Sequence, residues 1–403
     1  MKYVVLLGDG MAGRPLEELN GRTTLEAAAT PVMDCLSEVS ELGMASMVPE
    51  GMAPGSDTAN LAVMGYDPKV YYTGRSPLEA LSIGVDMEET DVSFRCNIVT
   101  LSEEDCDYED RTIIDHSSDE ISTEDAAILL EALREGLERE GYRFYAGTSY
   151  RHLLIWKNGN VVELTPPHDI LTKRIGDYLP QDEVLRDMMK KSYDILENHP
   201  INVKRRSEGL HPANSAWFWG AGKKPALTSF EERTGKRGVM ISAVDLLKGI
   251  AVGAGMDRVI VEGANGGLHT NYEGKAMAAV AALTKDGYDF AYIHVEAPDE
   301  MGHQGIVKDK ITAIENIDKK VLGIVVDRLR KAGEEFRLLL LPDHPTPIKV
   351  RTHTGEPVPY LLYDSTKEEA GPEAYNEKTA YATGRNWPDG YQLIGHLLQE
   401  DIC

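Results

Sequence analysis

After about residue 236 the chain falls into a regular alternation of apolar runs and amphipathic stretches. GVMISAV, RVIVEGANGG, YDFAYIHVEAPD and FRLLLLPDH read as strands; DLLKGIAVGAG, GKAMAAVAALTKDG and KITAIENIDKKVLGIVVDRLRKAG between them read as helices. Such alternation predicts a mostly parallel sheet flanked by helices. The opening YVVLLGDG has the same form, an apolar run closed by a polar turn, so it joins this sheet as a strand ending at Asp9. A helix is expected from Thr24, interrupted at Pro31.

The middle of the chain has a different texture. STEDAAILLEALREGLERE, residues 122–140, predicts a helix capped by Ser122 with Asp125, with Ile128, Leu129, Leu133 and Leu137 on one face. RHLLIW, 151–156, reads as a strand, and NHPINVKRRSEGLHPANSAWFWGAGKKP, 198–225, as loop-rich. At 403 residues the chain exceeds what one core usually supports. The expected architecture is an α/β domain of residues 1–85 and 236–403, with a smaller α+β domain inserted at 86–235.

Charge narrows the partners. With 66 acidic against 42 basic residues the formal net charge is -24, which argues against a nucleic-acid or anionic-membrane surface. Cys35, Cys96, Cys106 and Cys403 lack metal or disulfide-scaffold spacing and read as reduced thiols of a cytoplasmic protein. The N-terminal apolar run is too short for a signal-peptide core, and no stretch has the length of a membrane span. The sequence sets no oligomeric state.

The chemistry lies at the predicted strand ends. In LLLLPDHPTPIKVRTHTGE, residues 338–356, the leucine run delivers Asp343 and His344 to the carboxyl edge of a strand, where open α/β sheets hold ligands, and His353 follows nine residues later. Asp9 ends the first strand, and Asp299 with His303 follows another at a spacing that shares one helical face. Three Asp and three His from four segments make a nitrogen and carboxylate set suited to two divalent ions, zinc or manganese. Ser56 in PEGMAPGSDTANLAVMGYDP precedes a potential helix; it reads either as a plain N-cap or as a nucleophile beside the ions.

GDG, PGSDTAN, YYTGRSP, FRCN, DEMGHQG and PDHPTP followed by HTGEPVP together resemble the cofactor-independent phosphoglycerate mutases of the archaeal type, members of the alkaline phosphatase superfamily. The likeness runs along essentially the whole chain. It implies an alkaline-phosphatase-like sheet, an inserted substrate domain, two divalent ions (manganese or zinc, with magnesium a further candidate) and no need for 2,3-bisphosphoglycerate. By the same resemblance Asp299, His303 and His353 bind one ion, Asp9, Ser56, Asp343 and His344 bind the other, and Ser56 accepts the phosphoryl group.

A small phosphorylated substrate of this kind needs cations for its carboxylate and phosphate. Arg75, Arg95 and Arg151 are the candidates, with Lys248 a fourth, and Asp115 and His116 are candidates for acid–base assistance. Where the archaeal pattern carries an arginine-rich DRRAGR-like segment, this chain has Asp115-His-Ser-Ser-Asp-Glu120. A related bacterial branch has been proposed to be a homoserine kinase, whose ammonium-bearing substrate would suit Asp119 or Glu120. The expected function is a metal-dependent mutase that interconverts 2- and 3-phosphoglycerate through phospho-Ser56; the alternatives are a homoserine-directed phosphotransferase, a phosphatase and, from another class, a noncatalytic metal-stabilised binding protein.

Overall fold

The structure is a computed structural model that describes residues 1–400; Cys403 lies outside the described residues. The chain divides into two compact units, one formed by Met1–Tyr72 and the chain from Leu227 onward, the other by Thr73–Ala226. The sequence reading places the boundaries at 85/86 and 235/236. The earlier junction reflects helix Arg75–Ser82, which packs on strands Val92–Leu101 and Ser215–Lys223 of the second unit through buried Ser76, Pro77, Leu78, Ala80 and Leu81.

The larger unit is built on an eight-stranded sheet. Its order is Asn386–Trp387, Glu41–Ala45, Val358–Asp364, Phe336–Leu341, Lys2–Gly8, Phe290–Val295, Gly238–Ile241 and Asp257–Val259. Only Val358–Asp364 runs antiparallel to its neighbours. Lys2–Gly8 lies at the centre, with Val4 aligned to Leu338 on one side and Ala291 on the other. All six residues of Phe290–Val295 and of Phe336–Leu341 are buried, which is why these strands read as unbroken apolar runs. Helices Tyr272–Thr284 and Val307–Asn316 close the core through Ala276, Ala279, Ala313 and Ile314, and the latter continues through a π-helical turn into Gly323–Ala332. The strand predicted at RVIVEGANGG is reduced to Asp257–Val259, and Ile260 is 84% exposed beyond it. No described helix is long and apolar enough to cross a membrane.

The second unit is antiparallel. Val92–Leu101, buried along its whole length, is flanked by Arg151–Trp156 and Ser215–Lys223; Ile113–Asp115 and Tyr142–Tyr145 complete the sheet. Helix Thr123–Leu137 starts where expected, with Ser122 accepting from the Asp125 amide. Its buried face is Leu129, Leu130, Leu133 and Leu137, whereas Ile128 is about half exposed, so Leu130 takes the place assigned to Ile128. The segment read as loop-rich contains a helix, Pro200–Ser207, with Pro200 in its first turn, and the nine-residue strand Ser215–Lys223.

His152, on Arg151–Trp156, is buried against the sheet; its Nδ1 accepts from the Gly147 amide and its Nε2 has no partner. Burial pulls its pKa from 6.5 down to about 4. Between those values the unfolded chain binds a proton that the native state refuses. The neutral form's stabilisation is thus complete above pH 6.5 and is lost as pH falls toward 4, by about 3 kcal/mol in total. In His152→Asn, whose amide oxygen can accept from Gly147, urea midpoints measured from pH 7 to 4 are expected to fall less steeply than in the parent. Parallel slopes would refute this role.

Candidate functional site

Sheet topology brings four distant segments to one edge. Asp9, Asp343 and His344 all lie just past the carboxyl ends of adjacent strands and are buried. Asp299 and His303 lie on helix Ala297–Gln304, which follows strand Phe290–Val295. Gly10 permits the tight turn after Asp9. Its φ is +59°, and a Cβ there would sit 2.5 Å from both Asp299 Oδ1 and Thr346 Oγ1.

Two donor groups form. Atoms of Asp9, Asp343 and His344 lie within 4.8 Å of one another, as do atoms of Asp299, His344 and His353. His303 joins the second group: its Nε2 is 3.1 Å from Asp299 Oδ2 and 2.9 Å from His353 Nε2, while its Nδ1 is 3.0 Å from the Arg351 carbonyl. His344 faces both groups, with its ring 4.0 Å from that of His353 between centroids and its Nε2 3.6 Å from Asp9 Oδ1.

The electrostatics fit cations. Burial and the nearby Asp343 and Asp299 carboxylates push the Asp9 carboxyl well above its usual range, and its buried Oδ1 has no hydrogen-bond partner. Two imidazole Nε2 atoms face one another beside Asp299, an arrangement in which both can be satisfied by a shared positive ion. Against the cost of burial, the bond to Asp299 holds His303 up at about 9.

Ser56 is the first residue of helix Ser56–Val63, and Gly55 is its N-cap. Its Oγ lies 3.2 Å from His344 Nε2, so the serine faces the Asp–His cluster and is not the N-cap. Its position is fixed by Asn60, a fully buried amide whose Nδ2 donates to the Ser56 carbonyl at 2.8 Å and to Asp343 Oδ2 at 2.9 Å. Tyr292 in turn donates to Asn60 Oδ1 at 2.6 Å. Two residues on along the same strand, His294 places Nε2 2.9 Å from Asp9 Oδ2 and Nδ1 3.2 Å from Ser242 Oγ. Burial holds His294 neutral, its pKa pulled down to about 3. Asn60, Tyr292, His294 and Thr346 escaped the sequence reading. The usable signal was a histidine inside the apolar strand FAYIHV and an asparagine one helical turn after Ser56.

The second unit holds the remaining candidates. Arg75 Nε and Arg95 Nε clasp the two oxygens of Glu79 at 3.1 and 3.0 Å. The Arg95 guanidinium lies 4.2 Å over the Trp219 ring, and His168 packs edge-on against the same ring at 5.2 Å. Exposed Arg151 lies near Tyr150, whose ring is 5.8 Å from that of His116. Asp115 accepts from the amides of Ser117 and Asp119, which outweigh burial and leave its carboxyl below the usual range. Ser118, Asp119 and Glu120 follow with φ of 51°, 55° and 50°, a left-handed turn pinned by Asp119 bonds to the His211 ring and amide. Lys248 belongs to the larger unit, where it pairs with Asp245 of its own helix at 3.1 Å.

A mostly parallel α/β sheet with Asp and His side chains clustered at its carboxyl edge and a serine at an adjoining helix start is the framework of a phosphoryl-transfer enzyme. A family model described as 2,3-bisphosphoglycerate-independent phosphoglycerate mutase matches residues 38–202. A protein of that name from Methanosarcina barkeri is 47% identical, covering 99% of this chain and 100% of its own. Among solved structures, a Pyrococcus horikoshii protein is similar at TM-score 0.80 and 30% identity, over 99% of this chain and 98% of that one. A cofactor-independent phosphoglycerate mutase from Thermoplasma acidophilum follows at 0.66 and 26%, over 99% of both chains. The chain belongs to the 2,3-bisphosphoglycerate-independent phosphoglycerate mutase family.

Proposed function

We propose that this enzyme interconverts 2-phosphoglycerate and 3-phosphoglycerate by passing the phosphoryl group through Ser56. The observation that carries the proposal is the Ser56 hydroxyl 3.2 Å from His344 at the start of a helix, beside two buried Asp–His groups. Asp299, His303 and His353 would hold one divalent ion and Asp9, Ser56, Asp343 and His344 the other, with manganese or zinc matching the ligand types. Such ions supply positive charge to the phosphoryl oxygens and favour the serine alkoxide.

The chain's own groups do the rest. Asn60 fixes the Ser56 backbone and one Asp343 oxygen in the same plane of bonds, so nucleophile and ligand keep a constant relation. The start of helix Ser56–Val63 directs backbone N–H groups toward an anion. Transfer forms a bond from Ser56 Oγ to phosphorus and breaks the bond from phosphorus to the substrate oxygen; return to the other glycerate hydroxyl reverses both changes. Arg75, Arg95 and Arg151 are assigned to the substrate's carboxylate and phosphate, and Lys248 is a weaker assignment because Asp245 holds it. Asp115 and His116 are assigned a supporting role, with the Asp115 oxygens occupied by the turn that follows. The homoserine reading finds no support among the relatives named above, and the Asp119 carboxylate is engaged by His211.

Phosphorus NMR of 3-phosphoglycerate incubated with manganese-loaded enzyme, with no 2,3-bisphosphoglycerate added, is expected to show 2-phosphoglycerate at equilibrium without accumulation of inorganic phosphate. Release of phosphate alone would mean that water reaches the phosphoserine and that the enzyme is a phosphatase.

A further inference from the structure

Helix Val307–Asn316 carries Lys310, a lysine with no exposed surface. Its ammonium donates to the carbonyl of Ala12 at 3.1 Å and to that of Thr346 at 2.7 Å. Ala12 lies three residues past Asp9 and Thr346 two past His344, so one cation joins the two loops that deliver most of the ligand set. The Thr346 amide also bonds the Ala12 carbonyl at 3.2 Å, and its hydroxyl donates to Asp299. The Lys310 bridge therefore reaches the helix carrying Asp299 and His303 as well.

A buried ammonium is unfavourable unless its surroundings are polar and fixed. Here its hydrogen-bond partners are carbonyls, and the acidic groups whose fields reach it are Asp299, Glu377 and Asp9. Glu377 itself accepts from the Gly13 amide at 3.0 Å and from Thr23 Oγ1 at 2.8 Å, which ties the same loop from its far side. The charge thus acts on the Asp9 and Asp299 carboxylates while its hydrogen bonds go to the backbone of both loops. A lysine placed only to stabilise the fold would need no such convergence on both ligand loops.

We propose that Lys310 is a positioning residue: its ammonium fixes the separation of the Asp9–Ala12 and Asp343–Thr346 loops and offsets their carboxylates, so that the ligand set is in register before an ion arrives. The inference rests on the two divalent ions assigned under the proposed function. In Lys310→Met, which keeps an unbranched stem without charge, manganese affinity by titration calorimetry is expected to fall 10- to 100-fold. The kcat of the manganese-saturated variant is expected to fall while KM for 3-phosphoglycerate stays unchanged. Manganese affinity equal to the parent's would overturn the proposal. Should the variant fail to fold, hydrogen exchange of the ion-free parent decides: protection at Gly10, Met11, Ala12, His344 and Thr346 close to that of the manganese-loaded parent supports it, and free exchange there overturns it. A parent that binds no manganese would instead defeat the ion assignment itself, so the two failures are distinguishable.

Discussion

Ser56→Ala is expected to remove phosphoryl transfer, lowering kcat by ~10⁴-fold or more, on the scale seen when a covalent nucleophile is deleted. The hydroxyl bonds His344, and the backbone carbonyl that Asn60 grips survives the substitution. Alanine is also the better helix former at the start of Ser56–Val63. The variant should therefore melt within about 3 °C of the parent. Acid-quench trapping with phosphorus-labelled substrate should recover labelled protein from the parent and none from the variant. Retained turnover, or label in both, would place the acceptor elsewhere and dismantle the proposed route.

His344→Ala should damage the site more broadly than any other ligand change. His344 contributes to both donor groups, whereas His303 meets the Asp299 group alone and is partly exposed at its margin. Loss of His344 is expected to weaken the ion it would hold with Asp9 and Asp343 by more than ~100-fold, and the ion of the Asp299 group, which its ring only adjoins, by ~10- to 100-fold, the usual cost of an outer-shell change. Metal content after gel filtration should fall toward zero in His344→Ala and toward one ion per chain in His303→Ala. Two retained ions in the His344 variant would show that this imidazole is not a ligand.

The candidate site was legible because its Asp and His residues follow apolar strands that could hardly be read otherwise. Four leucines before Pro342 place Asp343 and His344 at a strand end, and YVVLL does the same for Asp9. What escaped depends on contacts made across the chain. Ser215–Lys223 has a Pro- and Gly-rich approach and reads as loop, yet it pairs along Val92–Leu101, a tertiary partner that local pattern does not reveal. Ile128 and Leu130 lie about 160° apart around the helix; Leu130 falls on the side of Leu133 and Leu137, which the neighbouring helix Glu183–Leu196 helps to cover, and Ile128 does not. Lys310 looks like any surface cation in VKDKITAIEN; its burial is set by the two loops above it.

The strand order has a consequence for synthesis. Lys2–Gly8 pairs with Phe290–Val295 and Phe336–Leu341, so it waits for a partner until roughly 280 further residues have left the ribosome, about 15 to 60 seconds at ordinary elongation rates. The second unit, whose strands all come from Val92 to Lys223, has its full sequence available well before that. An apolar segment that waits this long is exposed to aggregation, a cost of the same topology that gathers Asp9 to Asp343 and His344.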